Sequence, residues 1–144
     1  MDRSGLVLAI LACAEGRPYT PVQLQKSVFL AVRNIPGIIS WGPSFNFVPY
    51  DYGPFDADVY TVAQMLAAEG LAVVAPSSDG RWSTYAATSA GQEAGKRLLA
   101  QLPEVTRDYL RNMSEWVRAQ SFRGLISAIY RAYPEMAANS VFRG

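Results

Sequence analysis

The chain has 144 residues, half of them hydrophobic, which suits one domain with a proper core and excludes intrinsic disorder. It has no histidine and a single cysteine, Cys13, so His-dependent triads, His-ligated metals, internal disulfides and multi-cysteine metal sites are all excluded. Thirteen basic residues against twelve acidic ones leave a net charge of +1, without the basic excess usual in a duplex-DNA binder.

The apolar run Leu6–Cys13 matches a signal-peptide core in length, but is too short to span a bilayer. It reads as a buried amphipathic helix over residues 3–15, with Leu6, Ile10 and Cys13 on one face. A cytoplasmic protein with no membrane contact is expected. Thr20-Pro21-Val22-Gln23 is a helix start: Thr20 caps, Pro21 fits the first helical position, and Gln23 completes a capping box. This second helix runs to about Asn34, with Leu24, Val28 and Val32 inward. Phe45-Asn46-Phe47-Val48 alternates as a short strand that Pro49 closes. Tyr50-Asp51-Tyr52-Gly53-Pro54-Phe55 is not helical, because the residue before a proline is pushed to extended backbone.

Asp56 caps a third helix over 57–69, with Val59, Val62, Met65 and Leu66 inward. Gly70 follows in the left-handed position. Residues 71–87 form a hairpin around the turn 77–80. Thr88 opens a fourth helix and Pro103 a fifth, with Val105, Tyr109, Met113 and Trp116 at helical spacing. Ser121 caps a sixth with the stripe Phe122, Leu125, Ile126, Ile129, Tyr130 and Tyr133.

The order predicts a single, mostly helical α+β domain. Residues 1–102 would form a winged-helix-like core of three helices with a β-hairpin wing, and 103–144 a C-terminal helical extension. It departs from the plain winged helix in an insertion of about twenty residues before the third helix, where a helix-turn-helix has a turn of 3–4 residues.

Four blocks carry a resemblance: Leu24–Leu30, Phe45–Phe55, Leu66–Leu71 and Tyr85–Gly91. Together they resemble the YwgA-type family of small bacterial and archaeal proteins. More distantly they are similar to the Panacea-domain, SocA-like antitoxins, which share an "lqKllyla" helix and a "YGP" element before a helix. Ile129–Glu135 resembles the C-terminal element of the YwgA type. The resemblance covers most of 20–140. It implies a winged-helix-like fold, a protein-binding or regulatory role with a toxin as one class of partner, and no enzyme chemistry.

The residues themselves offer two candidate surfaces. The first is the aromatic segment Tyr50, Asp51, Tyr52, Gly53, Pro54 and Phe55, with Gln25 and Lys26 on the preceding helix. Tyrosines give large contact area with a hydrogen-bonding tip. The nearby phenylalanines serve equally to plug the gap between the second and third helices. Lys26 is either a solvated helix residue or one that pairs with Asp51 or with a partner's carboxylate. No sequence feature lowers its pKa, so it is not read as a nucleophile.

The second surface is for nucleic acid: Arg81 on the wing, with Arg107, Arg111 and Arg118 in the C-terminal part, where residues 103–144 hold six arginines and four acids. The third helix argues against ordinary DNA reading, since Asp56 and Asp58 stand at its start and it has no Lys or Arg. The arginines also fit a solvated, salt-bridged face. Trp116 reads as core or as part of a homodimer contact through the last helices.

Asp56 and Asp58 lie too close in sequence to share a helix face, and Cys13 on an apolar helix reads as an inert buried thiol. No phosphate loop, dinucleotide fingerprint or nucleophile elbow is present. The chain therefore reads as a non-catalytic module with no cofactor and no metal. A winged-helix DNA-binding regulator is the alternative.

Overall fold

The computed structural model describes residues 1–142. Its first helix, α1 (Arg3–Cys13), is capped by Asp2, whose carboxylate accepts from the Gly5 N–H at 2.8 Å. The expectation of one buried face is too narrow: every residue from Leu6 to Ala12 is buried. A helix that is apolar all round belongs in the middle of a core. Accordingly α1 packs against α2 (Pro21–Asn34), α3 (Asp58–Ala68), α4 (Ser89–Ala100) and α5 (Glu104–Ala119). The helix α6 (Phe122–Ala132) and a 3-10 turn (Pro134–Ala137) close the order.

Three helix starts form as the side chains dictate. Thr20 and Gln23 make a reciprocal capping box, Thr88 accepts from the Gly91 N–H, and Ser121 from the Gly124 N–H. Each side-chain oxygen satisfies an N–H that a helix end leaves free.

Two antiparallel hairpins complete the α+β fold. One is β3 (Ala72–Pro76) with β4 (Ser83–Ala87), where the sequence predicts it. The other is β1 (Val48–Tyr50) with β2 (Gly53–Phe55). Here the strand begins where the alternation of 45–48 ends, and Pro49 lies inside it rather than closing it. Rungs of an antiparallel pair alternate between hydrogen-bonded and non-bonded. Pro49 faces Pro54 on one rung, so neither missing N–H is needed there.

Three helical stripes are corrected. In α3 the buried residues are Val59, Val62, Ala63 and Leu66, while Met65 is 52% exposed because it falls about 120° off that line. In α5 the buried residues are Leu110, Met113, Ser114 and Val117. Val105 and Trp116 face solvent, so Trp116 is not core. A polar residue in the middle hides this stripe. The Ser114 hydroxyl is buried against the Tyr19 hydroxyl, which also donates to the Ile10 carbonyl. In α6, Leu125, Ile126 and Ile129 are buried while Phe122 is largely exposed.

Candidate functional site

The Tyr50–Phe55 segment is the tip and second strand of the β1–β2 hairpin. Gly53 has φ +102°, in the left-handed region. A Cβ there would sit 3.2 Å from Tyr130 Cε1 and 3.6 Å from Lys26 Cε. Glycine is required both for the turn and for this close approach.

The C-terminal segment straps the hairpin down. The Val141 N–H donates to the Asp51 carbonyl at 3.0 Å, and Asn139 Nδ2 donates to the Pro49 carbonyl at 3.2 Å. The Tyr130 hydroxyl donates to Ser140 Oγ at 2.6 Å, which donates in turn to the Asp51 carbonyl. Tyr50 stacks on Phe55, Tyr52 meets Phe122 edge-on, and Phe55 meets Tyr60 edge-on. Such pairs contribute on the order of 1 kcal/mol each beyond area burial. The hairpin is thus a fixed platform rather than a loose loop.

Behind it lies α2, in which eight successive residues from Leu24 to Ala31 are buried. Gln25 uses both ends of its amide on the backbone of Asp56. Its Nε2 donates to the Asp56 carbonyl at 2.9 Å and its Oε1 accepts from the Asp56 N–H at 3.1 Å. The Asp56 carboxylate accepts from the N–H groups of Asn46 and Asp58. Gln25 and Asp56 together fix the exit of the hairpin into α3.

Lys26 is the unusual member. It is 3% exposed, so it is not a solvated helix residue. Its Nζ donates to the Pro54 carbonyl at 3.2 Å, and among the described residues no carboxylate lies within ion-pair distance of it. The pairing with Asp51 does not form. Asp51 is exposed and lines the same pocket without reaching Nζ. Burial pushes the Lys26 ammonium down to about 8 from its ordinary 10.5. A buried ammonium is usually paired; this one has a single neutral acceptor.

The pocket above Lys26 holds about 190 Å³ and is walled by Val22, Tyr50, Tyr52, Phe55 and Tyr60. Metabolite sites generally run from about 300 to 1,000 Å³. This one has the size of a side chain.

The structure therefore brings all eight sequence-selected residues together, in two roles. Tyr50, at 52%, and Tyr52, at 41%, are the outward ones together with Asp51. Phe55 is half-buried, and Gly53, Pro54, Gln25 and Lys26 lie beneath the surface. Phe45 is buried and Phe47 half-buried, packed edge-on against Phe29, so these phenylalanines belong to the core beside α2.

An adjoining apolar groove is not evident from the sequence. It holds about 430 Å³ between the start of α2, Trp82 in the β3–β4 connection, and Gln120–Leu125. Val22 lines both it and the Lys26 pocket, and Phe122 joins them through its contact with Tyr52. Trp82 is 45% and Phe122 49% exposed. The signal is a tryptophan beside the turn of the β3–β4 hairpin and a phenylalanine directly after a helix cap, both places where little core can form.

The four arginines separate. Arg81 lies 3.6 Å from Asp79 in the exposed connection between β3 and β4. Arg107 donates to the carbonyls of Leu99 and Leu102, closing the end of α4. Arg111 and Arg118 share a cleft with Cys13. Asp58 at the start of α3 pairs with Arg3 at 2.9 Å. Cys13 is half-buried, and burial pushes its thiol up to about 11 against the opposing pull of Arg111 and Arg118. It is therefore a protonated thiol at neutral pH.

Among the described residues, no helix is long and apolar enough to cross a membrane, and no three His, Cys, Asp or Glu side chains gather as a metal site. Comparison of the chain with protein-family models, with curated proteins and with solved structures gives no significant match.

Proposed function

We propose that this chain is a non-catalytic interaction module, which docks an acidic segment of a protein partner on the β1–β2 hairpin. The carrying observation is Lys26: a buried ammonium with one carbonyl acceptor, at the floor of a side-chain-sized aromatic pocket. A partner's Asp or Glu carboxylate supplies the missing counter-charge. Tyr50 and Tyr52 flank it, and the groove past Phe122 and Trp82 receives the apolar residues beside it. Energetic centres of interfaces are desolvated pockets in which aromatic anchors dominate, and close charge pairs within them can add affinity.

On this reading α1–α3 with the β3–β4 hairpin form a winged-helix-like scaffold, and the insertion before α3 carries the recognition element. The resemblance to YwgA-type proteins and SocA-like antitoxins supports a regulatory role of this kind. The nucleic-acid alternative draws less support. Arg81 and Arg107 are engaged locally, and the start of α3 carries a carboxylate.

Affinity capture of the tagged full chain after nuclease treatment tests the proposal. A stoichiometric protein is expected to remain bound. Its capture should fall at least about tenfold with Tyr52→Ala and with Lys26→Met, because truncating an anchor tyrosine costs about 2 kcal/mol or more. Unchanged capture by both folded variants, or loss of every companion on nuclease treatment, contradicts it.

A further inference from the structure

A second cleft shares no lining residue with the Lys26 pocket. It lies where the turn after α1 meets α4 and α5, and holds about 420 Å³. Unlike the hairpin pocket, this volume falls within the range of small-molecule sites. Four cations line it: Arg17, Lys96, Arg111 and Arg118. They come from three separate segments of the chain, so no helical repeat of one face produces the grouping.

Glu15 and Glu115 line the same cleft, yet none of the six charged groups forms an ion pair among the described residues. The cations are left with a net excess of two positive charges and free donors. Arg118 is the most constrained of them. Its guanidinium lies 5.7 Å from the centre of the Tyr19 ring, and its Nε is out of water with no acceptor. An unpaired buried donor is costly unless something accepts from it.

The geometry points to a binding site for a phosphate-bearing small molecule in this cleft. A phosphate group carries about −1.5 to −2 charge near neutrality, which matches the excess. Its oxygens suit the planar forks of Arg111 and Arg118, with Lys96 and Arg17 as charges at the rim. The lining is too polar for a lipid chain or an apolar metabolite. Cys13 at the floor keeps its proton, so the cleft binds rather than reacts.

The test is calorimetric titration of the full chain with inorganic pyrophosphate and with ADP at low salt. Saturable binding is expected, weakened at least about tenfold by Arg118→Gln and by Lys96→Gln. Lys96 is exposed, so its variant keeps the test valid if Arg118→Gln disturbs the packing on Tyr19. Tighter binding of ADP identifies a nucleotide; equal affinities identify the phosphate group alone. Both support the site. Absence of binding at millimolar ligand, or equal binding by wild type and Lys96→Gln, overturns it. So does a short DNA duplex that binds more tightly than either probe and loses affinity with the same substitutions, since the arginines then serve a nucleic-acid backbone.

Discussion

The wild-type protein is expected to gain stability from Lys26 as pH rises above neutrality, and Lys26→Met to remove that gain. The Lys26 ammonium titrates near 8 when folded and near 10.5 when unfolded. Between these values the unfolded chain holds the extra proton, so unfolding free energy rises with pH. The cost of burying the charge is fully present below about pH 8 and is relieved as pH climbs toward 10.5. The whole difference is about 3 kcal/mol, and about 2 kcal/mol of it falls between pH 7 and about pH 9.5.

Denaturant unfolding of wild type and variant across that interval measures it. Tyr19 and Tyr60 are pushed up to about 12, and Cys13 to about 11, chiefly by burial. These groups lose stability at high pH instead, because the unfolded chain gives up their protons first. They are common to both proteins and cancel in the difference. A wild-type curve parallel to that of Lys26→Met would mean that the ammonium is solvated.

The second large effect concerns α4. Gly91→Ala is expected to destabilise the fold by about 3 kcal/mol or more, a fall in Tm on the order of 10 °C. A Cβ on Gly91 would stand 1.8 Å from the Leu71 carbonyl oxygen and 2.8 Å from its carbon. Both are backbone atoms, and the carbonyl is held by the Thr88 N–H at 3.2 Å. Thr88 also donates its hydroxyl to the Gly70 carbonyl at 2.7 Å and accepts from the Gly91 N–H at 3.0 Å. The methyl group can be housed only by parting α4 from the entry to β3. Thermal unfolding of the variant checks this, and a Tm within a degree or two of wild type would contradict it. One turn on, a Cβ at Gly95 would meet that of Ala12 at 2.4 Å, so glycines on successive turns let α4 close first on Leu71 and then on α1.

Helix starts were the most legible features, because a cap is local chemistry. Thr20 with Gln23, Thr88 and Ser121 each act where the sequence puts them. The β3–β4 hairpin was equally plain from its turn residues. Elsewhere tertiary packing overrides the local pattern. Ser114 broke the apparent stripe of α5, although Tyr19 makes it a core residue. The prolines at 49 and 54 concealed a two-stranded pairing that places them on one rung.

The candidate site shows the same division. The aromatic-Gly-Pro segment was legible from composition alone, but the burial of Lys26 was not. A lone lysine in a helix reads as its wet face. The available clue was its company: Leu24, Gln25, Ser27 and Val28 to Ala31 contain no other charge, and a helix wedged between the hairpin and α5 has no wet face along that run.

The chain has only two lysines, Lys26 and Lys96, so 13C labelling at lysine Cε gives two signals, assigned through Lys96→Arg. Following the Lys26 signal against pH, alone and with a short acetylated poly-glutamate peptide, tests the docking account most directly. The expected result is a midpoint near 8 in the free protein that moves upward with peptide, as a carboxylate joins the ammonium. A midpoint at the ordinary lysine value, or one that saturating peptide leaves unmoved, would contradict it.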